Sequence, residues 1–416
     1  MEEPLAVNKI RTLDDFDVSG KTVLVRTDFN CPVGTETSQL KDDTRIMAAA
    51  ETIEELARKG ARVVILSHQG DPLDYHNFLS LAQHAERLRS VLGRPVSFID
   101  DVCGPAARNA VKTLGDGEIL LLENVRYHTE ETIIFEKQVA LSPAEQAKTP
   151  IVAKLAPLAD LYVCDAFACV HRCEPTLVGF PQLLPSAAGR LFQKELATLA
   201  RVRENPEHPC VFVLGGAKIL DAFAMMHTVL ENGSADAVLV TGLVGQVFLL
   251  AKGVDLGNST MKVIREMKLE PFVATAAELQ GSFASKIHCP VDVGVDSNGK
   301  REELDVSALP AAGVILDIGA KTVGQYSDVL REARTIFLNG PAGVYERDQF
   351  AVGTAGIWQA VGDSEAFSLI GGGDTIAASK RFGVADKVSY VCTAGGGMVL
   401  FLAGKALPVL EALAGK

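Results

Sequence analysis

A short run of Val, Ile and Leu, then a polar or glycine corner, then a segment of helical periodicity: this unit recurs along most of the chain. Strands that are apolar on both faces must be covered on both faces, and helices that join strands in parallel do the covering. The repeat therefore predicts an α/β protein built on two parallel sheets of doubly wound type. In the first half the apolar runs are Thr22 to Asp28, Val63 to His68, Glu118 to Glu123 and Leu161 to Ala166. Between the first two, DDTRIMAAAETIEELARKG reads as a helix, because Asp43 can cap it, Ile46, Ile53 and Leu56 repeat at helical spacing, and Gly60 closes it. In the second half the runs are Cys210 to Leu214, Ala237 to Thr241, Gly313 to Ile318, Thr335 to Leu338, Phe367 to Ile370 and Ser389 to Cys392.

At 416 residues the chain exceeds what one hydrophobic core organises, so two domains of about 200 residues each are expected. SAAGRLFQKELATLARVRENPEHP reads as one amphipathic helix from about Ala187 to Val202 with a Pro-bounded exit. Such a helix could join two domains while belonging to both. The expected organisation is a first domain over 1–186, a connecting helix over 187–203, a second domain over 204–400 and a tail, 401–416, that could return to the first domain.

Lys and Arg total 40 against 52 Asp and Glu, a net charge of -12, with no basic run of nucleic-acid type. Nucleic acid is excluded as a partner on that ground, and an anionic ligand must be drawn in by a local cluster of basic groups or helix N-termini. The amino end, MEEPLAVNKIRTL, has neither the basic start nor the apolar stretch of a secretory signal. The greasiest segment, Met398 to Ala403, falls well short of the roughly 20 apolar residues that span a bilayer. These features lead us to expect a cytoplasmic protein with no membrane partner, and its eight scattered cysteines read as reduced thiols.

The residues closing the strands differ between the halves. In the first they are Arg26, Asp28 and Asn30, then His68, Arg126 and Arg172, with Arg45 opening the following helix. Four arginines and a histidine in one crevice would supply planar, multidentate donors for phosphate and carboxylate, which implies a small phosphorylated acid. In the second half the corners are Gly215-Gly216-Ala217-Lys218, Gly242, Gly319, Asn339-Gly340-Pro341, Gly371-Gly372-Gly373-Asp374-Thr375 and Gly395-Gly396-Gly397. Glycine lets backbone N–H groups approach phosphate oxygens, and a helix starting just beyond adds its dipole. That composition suits a nucleotide polyphosphate, with Lys218 on the transferring group, Thr375 donating to phosphate and Asp374 holding Mg²⁺.

Three motifs are decoys. Ser19-Gly20-Lys21-Thr22 resembles the end of a phosphate-binding P-loop, but Asp15 stands where a glycine is required and the segment precedes a strand. Cys169 and Cys173 near His171 lack the second ligand pair of a zinc site, and His68, His76 and His84 lack ligand-pair spacing, which leaves His68 alone of interest.

VLVRTDFNCPV, DDTRI, LSHQG, LLENVRYH, DAFACVHR, GGAK, LDIG, NGPAGVYE and GGGDT follow one another in an order that resembles the phosphoglycerate kinase family over nearly the whole chain. DAFACVHR and LSHQG lean toward its archaeal-like branch. The resemblance implies two Rossmann-like domains and reversible phosphoryl transfer between 1,3-bisphosphoglycerate and ADP, giving 3-phosphoglycerate and ATP in line after domain closure. It implies that Asp28, Asn30, Arg45, His68, Arg126 and Arg172 hold the acid. Lys218, Gly319, Asn339, Glu346, Gly372, Gly373, Asp374 and Thr375 would hold Mg-ADP or Mg-ATP, with Glu346 on the ribose and Asp374 on the metal. Arg45 and Lys218 would neutralise the phosphoryl group in flight, and the amides of Gly395 and Gly396, with Gly397, would complete the cradle. A monomer is expected.

Three positions depart from the family pattern. Ser67-His68-Gln69-Gly70-Asp71-Pro72 carries a carboxylate, Asp71, where an arginine is usual. Ile219-Leu220-Asp221-Ala222 lacks a second lysine, and Cys392-Thr393-Ala394 replaces Ser-Thr-Gly. A carboxylate near a phosphate repels it. Two other readings therefore stay open: a related kinase for a different carboxylic acid or acyl phosphate, and a non-catalytic nucleotide or metabolite sensor.

Overall fold

The computed structural model describes residues 9–71, 73 and 76–415. The first eight residues of the amino end, Pro72 beside Asp71 and Lys416 at the end of the tail lie outside them. The chain divides into two compact units, Met1–Ala197 with Ala406–Lys416, and Thr198–Lys405.

The first unit is built on an all-parallel sheet of β1 (Thr22–Arg26), β2 (Arg62–Leu66), β3 (Ser97–Ile99), β4 (Ile119–Leu122), β5 (Leu161–Cys164) and β6 (Ser186–Ala188), in the order β3-β4-β2-β1-β5-β6. Every residue of β1 is buried, as a strand covered on both faces requires. One cover is the helix Thr44–Arg58, which turns Ile46, Ala49, Ile53 and Leu56 inward onto Val23, Val25, Val63 and Ile65. Burying each Ile or Leu of that stripe contributes roughly 1.5–3 kcal/mol. The tail ends in a helix, Pro408–Ala414, and Val409 N donates to Val170 O at 3.2 Å.

The second unit holds β7 (Cys210–Leu214), β8 (Ala237–Val240), β9 (Ile287–His288), β10 (Asp292–Ser297), β11 (Lys300–Asp305), β12 (Val314–Ile318), β13 (Thr335–Asn339), β14 (Phe367–Gly371) and β15 (Tyr390–Cys392). Its main sheet is parallel, in the order β15-β14-β13-β7-β8-β9. Trp358, Tyr326 and Ile357 pack on one of its faces, against Ile336 and Leu338.

Two expectations are corrected. The run ending at Ile318 forms β12, but it belongs to a separate antiparallel sheet, β11-β10-β12, rather than to the parallel one. Its hairpin turns at Asn298-Gly299, both with positive φ (54° and 83°), the backbone that Asn-Gly favours between twisted strands. The connecting helix runs Arg190–Glu204 instead of starting at Ala187, because Ala187 and Ala188 pair with Val163 and Cys164 as part of β6. The short strands β3, β6 and β9 carry too few residues to show a period.

The start of that helix is pinned by Asp165, wholly buried just after β5, whose carboxylate accepts from Phe192 N at 3.0 Å. A Cβ on Gly189 would lie 2.3 Å from the same carboxylate, so only glycine fits there. Burial pushes the Asp165 pKa up to about 7, against the opposing N–H donors. Its sign is set by the proton count: between about pH 4 and pH 7 the folded protein keeps a proton that the unfolded chain has lost. Stability must then fall as pH rises through that window, by at most about 1.4 kcal/mol per pH unit. Asp165→Asn, neutral throughout, is expected to gain stability relative to the parent as pH rises from about 4 to 7 and to hold that gain above. Urea denaturation across this range checks it, and a stability difference independent of pH would refute the assignment.

Candidate active site

In each main sheet two adjacent central strands send their onward connections to opposite sides, and the segments leaving the carboxyl ends gather at that switch point. In the first unit the switch lies between β1 and β5. Arg26 ends β1, wholly buried, with Nε donating to Thr176 Oγ1 at 2.8 Å, one terminal nitrogen to Thr27 O, and the other 3.3 Å from His68 Nδ1. Asp28 pairs with Arg45, from the first turn of the helix after β1, and lies 3.7 Å from His68 Nε2. Asn30 Oδ1 accepts from Gly70 N at 2.8 Å, and Arg126 donates to Gly70 O. Gly70 has φ of 77°, and a Cβ there would sit 2.2 Å from Asn77 O, which accounts for the glycine of LSHQG. Asp28, Asn30, Arg45, His68, Arg126 and Arg172 thus come together at one sheet edge.

Among these arginines lies a carboxylate that sequence reasoning missed. Glu174 is 1% exposed, with Oε1 3.8 Å from Arg126 Nη2 and 3.7 Å from Arg172 Nη1, and Oε2 3.8 Å from Arg26 Nη2. Arg172 also donates to Glu136 at 3.2 Å. Behind Glu174, the wholly buried Glu131 accepts from the backbone N and the hydroxyl of Thr176, both at 2.7 Å. Burial raises the Glu131 pKa, and the neighbouring Glu174 charge raises it further. Burial also raises Glu174, but Arg126, Arg26 and Arg172 oppose the shift. The three arginines thus favour the anionic form of Glu174 against its burial. Burial, then the arginines 126, 26, 45 and 172, push the His68 pKa well below its ordinary value, so His68 is a neutral imidazole at pH 7. Asp28, His68 and Cys169 offer donor atoms within 4.8 Å of one another, but the surrounding guanidiniums repel a cation. His84, in contrast, is a core residue bonded to Gln69 at 3.0 Å.

Asp71 closes its own turn. Its Oδ1 accepts from Leu73 N at 3.0 Å, its backbone N donates to Asn77 Oδ1 at 3.3 Å, and among the described residues it makes no ion pair.

In the second unit the switch lies between β7 and β13. There a cavity of about 170 Å³ is lined by Gly215 to Lys218 after β7, Asn339 to Pro341 after β13, Gly372 to Thr375 after β14, and Gly395 and Gly396 after β15. Helices begin at three of these corners, Ile219–Glu231, Gly373–Arg381 and Gly396–Leu402, so N-terminal N–H groups face one space. The corners are interlocked: Gly215 N donates to Asn339 O at 2.9 Å, Asn339 Nδ2 to Gly371 O at 2.8 Å, and Gly340 N to Thr375 Oγ1 at 2.8 Å. Gly340 has φ of 90°, and a Cβ there would lie 2.2 Å from Gly215 O.

The cavity gathers Lys218, Asn339, Gly372, Gly373, Asp374, Thr375, Gly395 and Gly396. Gly319 and Glu346 lie outside its lining. Gly319 precedes the helix Ala320–Glu332 and packs on Asp292, whose backbone O accepts its N–H at 3.0 Å, while Glu346 is exposed in the turn after β13. Asp221 was missed. It lines the cavity one helical turn after Lys218, a spacing that could have signalled it, and burial raises its pKa against the pull of Lys218.

A family model described as "Phosphoglycerate kinase" matches residues 13–405. Phosphoglycerate kinases of Methanothermobacter thermautotrophicus and Natronomonas pharaonis are 46% and 43% identical to the chain, each alignment spanning 97% of it and 97% and 99% of the relative. The crystal structure of phosphoglycerate kinase from Pyrococcus horikoshii superposes with a TM-score of 0.87 at 39% identity, covering 97% of this chain and 98% of that one. The enzyme from Coxiella burnetii superposes at 0.82 with 31% identity over the same shares.

Thr375 is 1% exposed and its hydroxyl is the acceptor for Gly340 N. Thr375→Val leaves that donor without a partner and should cost about 1–3 kcal/mol of stability, together with weaker nucleotide binding, while Thr375→Ser retains most of both. Urea denaturation and nucleotide titration of the two variants check this; equal behaviour of Val and Ser would remove the hydroxyl from the account.

Proposed function

Because the chain belongs to the phosphoglycerate kinase family, we propose how its residues divide that family's reaction. The chain is a phosphotransferase with a carboxyl acceptor, moving a phosphoryl group between 1,3-bisphosphoglycerate and ADP. What supports the division is the contrast between its two crevices: side-chain guanidiniums in one unit, backbone amides at helix N-termini in the other.

The first crevice takes the acid. Arg126 and Arg172 offer fork-shaped donors for its phosphate and carboxylate, Asn30 and the neutral His68 supply hydrogen bonds that need no charge, and Asp28 orients Arg45. Asp71 stays with its own turn, so it need not oppose the anion directly. The family's own acid, 3-phosphoglycerate, is the one we assign to this crevice. The second crevice takes the nucleotide phosphates on the amides of Gly372, Gly373, Gly395 and Gly396, with Lys218 and Thr375 alongside. Glu346 and Gly319 would serve the nucleoside, beyond the cavity that takes the phosphates.

Mg²⁺ fits the donor set of this cavity, whose carboxylates are Asp374 and Asp221. Asp374 would hold it, and when bound it supplies charge neutralisation on the phosphate oxygens. The chain's own contribution is to position the ends in line and to bring Arg45 and Lys218 onto the transferring group once the two domains close and water leaves. We take the enzyme to act as a monomer and to be cytoplasmic, the latter in keeping with eight scattered cysteines read as reduced thiols.

Removing Lys218 removes positive charge from the group in flight but leaves the acid site whole. Lys218→Ala is expected to lower kcat by about 10²–10³-fold, with KM for 3-phosphoglycerate changed by less than about threefold. A coupled assay with Mg-ATP decides; a full kcat would place the catalytic charge elsewhere.

A further inference from the structure

A guanidinium wholly inside a protein is normally hydrogen-bonded to its counter-ion. Here the buried Arg26 and Arg126 and the part-buried Arg172 share Glu174 at 3.7–3.8 Å, and neither Glu174 oxygen has a hydrogen-bond partner. The pairing is therefore Coulombic without being locked, and the donors of the arginines point elsewhere. Arg26 donates to Thr176 and Thr27, Arg126 to Gly70 and Arg172 to Glu136.

We propose that Glu174 is the built-in counter-ion of the acid crevice, a positioning residue that holds Arg26, Arg126 and Arg172 in place between turnovers and competes with the bound anion for them. The geometry limits the alternatives. Glu174 directly follows Cys173 and precedes Pro175, and its backbone O accepts from Leu177 N and Val178 N at 3.0 and 3.1 Å, so its stem is fixed in the turn. The charges facing it are Arg26 from β1, Arg126 after β4, Arg172 and Glu136 beside it, and Glu131 behind it. Without Glu174, like charges would crowd one desolvated space; with it, the crevice keeps a positive excess that an anion neutralises. Its carboxylate thus lowers the affinity for anionic acids and speeds their release.

The proposal rests on the reading that this crevice takes the acid, and the test separates the two. Glu174→Gln keeps the shape and removes the charge. KM for 3-phosphoglycerate and the dissociation constant for inorganic phosphate should both fall, by about three- to tenfold, with a steeper loss of binding as KCl is raised. A raised or unchanged KM in a folded E174Q protein would overturn the proposal. If E174Q does not fold, Glu174→Asp, which draws the carboxylate back, must show a smaller shift in the same direction, and an unchanged or raised KM there overturns it equally. Arg172→Gln reports on the underlying reading. An unchanged acid KM in that variant means that the crevice is not the acid site, whereas a raised KM beside an unchanged E174Q sinks the counter-ion alone.

Discussion

A parallel ladder admits one direction only, and that constraint shapes everything else here. β1 lies between β2 and β5, with Arg26 level with Leu66 on one side and Cys164 on the other. Whatever the chain places after these strands must emerge at the same edge, and the connecting helices must start there too. Backbone N–H groups and the positive ends of helix dipoles therefore accumulate where the strands stop, so an anion site comes with the topology. The two units exploit the same edge with different chemistry. The first fills it with guanidiniums on long stems, which reach a small ligand from several corners. The second strips the side chains away, as at Gly340 and Gly372, and leaves main-chain groups lining the cavity.

Much of this was legible in the residues, for a definite reason. Strands buried on both faces are written as continuous apolar runs, so Cys210 to Leu214 could be read to the residue and β1 to within two of its end. Corner residues were legible because they follow those runs at once. The antiparallel sheet β11-β10-β12 escaped because β11, KREELD, is mostly exposed and charged, which hides its period, although Asn298-Gly299 marked its turn. The start of the connecting helix escaped because β6 contributes only Ser-Ala-Ala, residues with no preference strong enough to declare a strand. Glu174 escaped for a different reason: that a carboxylate is buried among arginines from three other segments is a fact of tertiary contact, and no spacing along the chain records it.

The chain carries a net charge of -12 and yet gathers four arginines at one sheet edge. Screening reconciles the two, since exposed charges more than about 10 Å away are largely muted at ordinary ionic strength. The net negative charge is spread over the chain, while a ligand responds to groups a few ångströms off. Four arginines face Asp28, Glu136 and Glu174 there, and His68 stays neutral in their company. His68 is useful because it is not another cation: it fills a polar position without adding to the repulsion.

Such a crevice is stable only as a network. Arg26 is held by Thr176, Thr176 by Glu131, and Glu174 by three guanidiniums that would otherwise repel one another. Removing one member leaves the others buried with uncompensated charge, a larger penalty than the loss of the contact itself. Energies measured for Arg26, Glu131, Thr176 and Glu174 one at a time therefore do not sum to the energy of the set, because each single change alters what its neighbours face. The same coupling explains how the site can hold so much buried charge at all: Glu174 faces three guanidiniums and Arg172 faces two carboxylates, so no single pairing has to carry the whole charge.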